Sequence, residues 1–214
     1  MLKKRIVITG IGVISPIGIG KEQYWESLRL GKSGFKPITL FDTSDLKVKV
    51  AGEITEFNSK DILGKKGLVD LDRATTLLLS AAKFALEDSQ IDISNINSPK
   101  TGISIGSTFG SLNSLSEFDQ QSLDEGPNFV NASRFPNTVI NSPASRAAIR
   151  YSIQGPNSTL STGFCASIDA LEYAVFCINS GRAKRMVAGA VEEMCIQPFL
   201  GFYKLGYLAG LNNQ

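Results

Sequence analysis

Residues 159–175 read TLSTGFCASIDALEYAV, and a change of period inside them sets the fold class. Ser158, Thr159, Leu160, Ser161 and Thr162 form a polar and β-branched run that suits an extended strand. From Cys165 to Gly181 the pattern turns helical, with Ile168, Leu171, Val175 and Ile178 at spacings of 3, 4 and 3. Ala170, Ala174 and Cys177 fall beside that stripe. A helix apolar over so much of its surface is expected to be buried inside a layered fold.

The same alternation extends outward in both directions. Met186–Ala190 follows as a further strand, and Asn141–Ile153 precedes as a helix with Pro143 near its start. Gly102-Ile103-Ser104-Ile105-Gly106 reads as an interior strand. Asp72–Asp88 carries a one-sided helical stripe of Ala74, Leu78, Ala81, Ala82 and Ala85. Val48–Ile54 alternates as a half-exposed strand, and Glu22–Gly31 is a short helix ending on a glycine signal. Arg5–Thr9 is a near-continuous apolar run stopped by glycines, which suits a buried central strand. Strands alternating with helices define an α/β protein with a mostly parallel or mixed sheet, helices on both faces and a buried core helix.

The 214 residues suit a single domain, 1–214, with a core large enough to be stable. A net charge of +2 calls for neither nucleic acid nor an anionic membrane as partner. No apolar run approaches the length of a membrane span, and the short run after Lys3-Lys4-Arg5 is too brief for a signal peptide, so a cytoplasmic location is expected. The tail, Leu211–Gln214, reads as a polar turn. Cys165, Cys177 and Cys195 are an odd set that suggests free thiols. With no histidine and no CxxC pair, neither a metal site nor a cofactor is expected.

Three stretches look catalytic. Gly102–Gly106 matches the G-x-S-x-G nucleophile elbow, but that elbow needs a histidine to deprotonate its serine. Thr9–Gly18, TGIGVISPIG, has Ser15 where a dinucleotide fingerprint wants its third glycine, and Pro16 and Gly18 delay the helix that should receive a pyrophosphate. Cys165 at a helix start is the sharper candidate, because free N–H groups there favour a thiolate; the competing reading is that it simply fills space. Basic residues at Lys3-Lys4-Arg5 and at Arg182, Lys184 and Arg185 would suit an acidic carrier protein or simply a solvated face.

The order of motifs resembles the elongating, KAS II-like β-ketoacyl-acyl carrier protein synthases, the condensing enzymes of fatty acid and polyketide synthesis. The likeness runs through RIVITGIGVISPIG (5–18), FDTSDLKVKVAGEITEFN (41–58), TGISIGSTFG (101–110), FPNTVINSPASRAAIRYSIQGPNSTLST (135–162) and INSGRAKRMVAGAVEE (178–193). It implies the N-terminal half of a thiolase-like fold, with the C-terminal half absent. In the family a Gly-Pro pair is followed after seven residues by the catalytic cysteine. Here Gly155-Pro156 is followed by Asn157–Gly163 and then Phe164, so Phe164 stands at the nucleophile position and Cys165 is one residue late. One residue turns a helical side chain by roughly 100°. The family's two histidines, which stabilise the thioester oxyanion, have no counterpart in the chain.

Those departures resemble the chain length factors of type II ketosynthases, which lack the cysteine and dimerise with an active synthase. The resemblance implies a catalytically silent partner of a full-length ketosynthase, with acyl carrier protein as further partner, in fatty acid or polyketide synthesis, polyenes included. It assigns Arg134, Phe135 and Pro136 to a segment that closes the partner's acyl pocket, Ser158–Thr162 to pairing across the two-fold axis, and Phe164 to plugging this chain's own channel. The alternative is a synthase half-subunit in which Cys165 accepts the acyl group and a second chain supplies the histidines. A carrier-binding protein and a nucleotide-dependent oxidoreductase complete the range.

Overall fold

The computed structural model describes residues 5–91 and 98–210. Lys3, Lys4 and the Leu211–Gln214 tail lie outside the described residues. The chain forms two compact units, Met1–Gly12 with Ser59–Glu193, and Val13–Asn58 with Met194–Gln214.

The second unit holds two short antiparallel ladders and two helices. β1 (Ile14–Ser15) pairs with β2 (Gly18–Ile19), α1 (Lys21–Arg29) follows, and β3 (Lys36–Pro37) pairs with β4 (Val50–Ala51). The predicted strand Val48–Ile54 therefore shrinks to two ladder residues. Gly31, at φ +63, ends α1 as the sequence predicts. Glu53 is buried and accepts from the Thr39 N–H and hydroxyl at 2.8 and 2.6 Å.

The first unit carries α2 (Ser59–Leu63), α3 (Arg73–Asp88), β5 (Thr101–Gly106), α4 (Leu112–Glu125), α5 (Ser142–Arg150), β6 (Asn157–Leu160), α6 (Ala166–Asn179) and β7 (Arg185–Ala190). The last helix of the chain, α7 (Ile196–Lys204), belongs to the second unit. β5 is the centre of a parallel sheet in the order β6-β5-β7, and every one of its residues is buried. The two isoleucines of GISIG fill that interior, which is why this strand was legible. Ser104 is fully buried and its hydroxyl has no hydrogen-bond partner among the described residues, so it is a strand residue and not an exposed elbow nucleophile.

α3 begins on Asp72, whose carboxylate accepts from the Thr75 N–H at 2.6 Å, an N-cap that satisfies one orphan donor of the first turn. The expected one-sided stripe is too narrow. Ala74 through Ser80 are all buried, Thr75, Thr76 and Ser80 included. These hydroxyls bond locally to Asp72 or to carbonyls one turn back, so burial leaves them satisfied.

Two expectations are corrected. Arg5–Thr9 forms no ladder with any described strand, and Val7 and Ile8 are 70% and 79% exposed. Its apolar run has no strand beside it, so period and composition alone could not make it central. The segment is instead held through glycines. A Cβ on Gly12 would lie 1.9 Å from the Ala81 carbonyl oxygen, and the Ile11 N–H donates to Asp88 at 2.9 Å, so backbone rests directly on α3. The second correction concerns α6, which is not covered all round. It buries Ala166, Ala170, Ala174 and Cys177 against β5 and β7, while Ile168, Leu171, Val175 and Phe176 are exposed.

Candidate functional site

The head of α6 is seated by β5. A Cβ on Gly106 would lie 2.3 Å from the Ala166 carbonyl oxygen, so only glycine lets the strand end meet the helix start. A one-turn 3-10 helix, Gly163–Cys165, leads into α6, with Gly163 at φ +73. Phe164 is 79% exposed and Cys165 is also exposed, at the N-cap of α6 with no side-chain capping bond. Phe164 is thus uncovered by the described residues.

Polar bonds fix the backbone around it. Thr108 donates its hydroxyl to the Gly163 carbonyl at 3.2 Å, Ser161 donates to the Thr108 carbonyl at 3.1 Å, the Thr108 N–H donates to Glu192, and Thr162 donates to Asp169 in the first turn of α6. Thr108, Glu192 and Asp169 were not singled out in the sequence. The acidic residue at a helix start was the available signal.

Behind this loop, Glu193 is buried and reaches two helix starts. Its carboxylate accepts from the Ala74 N–H of α3 at 3.2 Å and from the Asn113 N–H of α4 at 3.1 Å. Burial pushes its pKa up from 4.5 to about 7, the two backbone N–H groups opposing that rise and the nearby Asp72 adding to it.

The 3-10 segment Ala132–Thr138 carries Arg134, Phe135 and Pro136. Phe135 is exposed and meets Phe118 of α4 edge-on, centroids 6.1 Å apart; Arg134 lies 3.8 Å from Glu117 of the same helix. α4 buries none of its residues. Asn137 anchors the segment by donating to the Asp70 carbonyl at 2.6 Å. Ser158, Thr159 and Leu160 lie on β6, an edge strand whose outer side has no described neighbour, and Ser161 and Thr162 lead from it to Phe164. Arg182 and Lys184 are exposed on the loop after α6, the Arg182 guanidinium 5.3 Å from the Phe176 ring centroid. The structure thus gathers Ser158–Cys165 at one strand end and sets Arg134–Pro136 on a separate arm. Among the described residues no His, Cys, Asp and Glu cluster could hold a metal, and no helix is long and apolar enough to cross a membrane.

Residues 3–213 match the family model "Beta-ketoacyl synthase, N-terminal domain". The chain is 33% identical to 3-oxoacyl-[acyl-carrier-protein] synthase 2 of Coxiella burnetii, covering 90% of this chain and 46% of that protein. The same enzyme of Synechocystis is 33% identical, over 89% of this chain and 46% of the relative. The chain thus spans about half the length of the curated relatives it matches. Among solved structures, the ishigamide ketosynthase/chain length factor superposes with a TM-score of 0.90 at 27% identity, covering 97% of this chain and 52% of that one. A type II polyketide acyl-carrier protein in complex with its ketosynthase superposes at 0.81 and 25% identity, covering 96% of this chain and 50% of that one. This chain belongs to the β-ketoacyl synthase family, and its fold is the N-terminal half of the thiolase-like ketosynthase architecture.

Proposed function

We propose that this chain is a catalytically silent ketosynthase homologue that pairs with a full-length β-ketoacyl-acyl carrier protein synthase and helps set the length of its acyl or polyene product. The observation that carries the reading is Phe164, a bulky apolar side chain at the head of α6 where the family places its nucleophile. A phenyl ring can neither attack a thioester nor be acylated. The bare outer face of α6 and the unpaired edge of β6 supply surface for a partner. In this reading Arg134, Phe135 and Pro136 close the partner's acyl pocket, Ser158–Thr162 pair across the two-fold axis, and the partner presents its own thiol and histidines to acyl carrier protein. Residues 1–214 act as one ketosynthase N-terminal-type unit.

The test is the native mass of the complex recovered from the protein's own cells, together with condensation assays on the purified chain. A one-to-one assembly with a synthase containing cysteine and histidines supports the proposal. Condensation of acyl and malonyl carrier-protein thioesters by the chain alone defeats it.

One observation favours a second reading. Cys165 is exposed at the N-cap of α6, within reach of a solvent-borne thioester. A split synthase would acylate this thiol and take its histidines from another chain. Acyl adducts on Cys165, lost in Cys165→Ala, distinguish that case.

A further inference from the structure

Little holds α4 against the rest of the first unit. None of its residues is buried, and glycines in the left-handed region flank it, Gly110 at φ +64 before its N-cap and Gly126 at φ +96 as its C-cap. The N-cap residue Ser111 is buried, yet its hydroxyl makes no hydrogen bond among the described residues and so caps nothing. Glu193 supplies the missing acceptor, its Oε1 taking the Asn113 N–H at 3.1 Å. Among the described residues, this is the helix's one hydrogen bond to a residue beyond its own caps and the arm that follows.

The arm, by contrast, is fastened to α4 along its length. Gln121 accepts from the Asn131 N–H at 3.3 Å, Glu117 lies 3.8 Å from Arg134, and Phe118 meets Phe135 edge-on. The row of contacts ends where the buried Asn137 is anchored to the Asp70 carbonyl. Residues 112–136 are therefore one piece between a glycine and an anchor, tethered by a single carboxylate. α3 keeps its own cap in Asp72 whether or not Glu193 stays in place.

We propose that residues 112–136 form a flap, hinged at Gly110 and anchored at Asn137, which Glu193 holds shut and which opens from the unit as pH rises. Closed, the flap keeps the Glu193 carboxyl from water; open, it lets water solvate the charged form. Burial holds its proton up to about pH 7 against the pull of the two N–H groups, while a hydrated carboxyl releases it near 4.5. The closed state is the better proton binder, so opening gains as pH rises from 4.5 through 7. The surrounding charges are mixed. Asp72 raises the same pKa and Arg73 lowers it, Glu117 of α4 accepts from the Asn113 side chain, and Glu192 is turned to the Thr108 N–H. The flap lies within the first unit and does not depend on the ketosynthase reading.

Amide hydrogen exchange of the full chain, read by mass spectrometry from pH 5.5 to 8.5 and corrected for intrinsic rates, tests it. Protection of residues 112–136 should fall by about tenfold or more across that range, the ratio set by the two proton-binding equilibria. At every pH it should lie below that of β5. Low urea should leave exchange in the flap unchanged and speed it in β5, because a local opening exposes little surface. Glu193→Gln, which cannot ionise, should remove the pH dependence. Flap protection that ignores pH, that falls only in step with β5 and with the same urea dependence, or that keeps its pH response in Glu193→Gln would overturn the proposal. The urea comparison uses the unsubstituted chain, so it decides the case whether or not the variant folds.

Discussion

α3 and α6 make an instructive pair, because their sequences suggest the opposite of what each does. α3 reads as a one-sided amphipathic helix, yet its first two turns are buried on every side. α6 is the more apolar helix, yet Ile168 is 66% exposed and Leu171 and Val175 are exposed beside it. The difference lies in the neighbours. α3 has α2, α5 and the Gly10–Gly12 backbone packed around it, whereas α6 has the sheet β6-β5-β7 on one side and leaves Ile168, Leu171, Val175 and Phe176 uncovered by the described residues on the other. Apolar surface states how much must be covered; it does not state which polypeptide provides the cover.

The contrast gives unequal responses to truncation. Leu79→Ala in α3 should cost about 3 kcal/mol or more, the usual loss for a fully buried leucine, and shift the urea midpoint accordingly. Leu171→Ser on the outer face of α6 should leave the stability of the isolated chain within about 0.5 kcal/mol, and the proposed role predicts that it abolishes capture of a synthase partner. Equal destabilisation by the two would show that α6 is covered within the chain.

Glu193 adds a pH dependence to the α3 side. Its folded carboxyl holds a proton up to about pH 7, whereas the unfolded one releases it near 4.5. The folded state is therefore the better proton binder between those values. Stability from this group is full below pH 4.5, falls as pH rises through 7 and then levels off, by up to about 3 kcal/mol. Denaturation midpoints at pH 5 and pH 8 should differ in that direction, and Glu193→Gln should flatten the difference.

Gly12→Ala drives a methyl into the Ala81 carbonyl and should cost about 1–3 kcal/mol through forced backbone movement, measurable as a lower melting temperature. Phe135→Ala should be the mildest. It loses one edge-to-face contact with Phe118, about 1 kcal/mol, while the proposed role predicts a changed product length distribution in the assembled complex.

Much of the fold was legible because its signals are local. The flanking glycines and paired isoleucines marked β5, Gly31 marked the end of α1, and the period change after Thr162 placed β6 and α6. The all-round burial of α3 was not, since Thr75, Thr76 and Ser80 look like surface residues until their local hydrogen bonds are seen. α4 escaped notice because it buries nothing and so leaves no apolar stripe to read. At the site, the position of Phe164 came from motif spacing, but its exposure did not, because exposure depends on neighbours absent from the local pattern. The buried bond acceptor Glu193 gave no sequence signal beyond following a predicted strand, as its partners Ala74 and Asn113 come from distant segments.

That carboxylate has a genetic consequence. Because Glu193 serves the first turn of α3 with one oxygen and the first turn of α4 with the other, those two turns share a single fate. Substitutions placed separately in each should show epistasis rather than simple addition in a double-mutant cycle, and removing Glu193 should abolish it. The arm bearing Phe135 packs on α4, so changes near Ala74 would constrain which residues evolution can place on that arm.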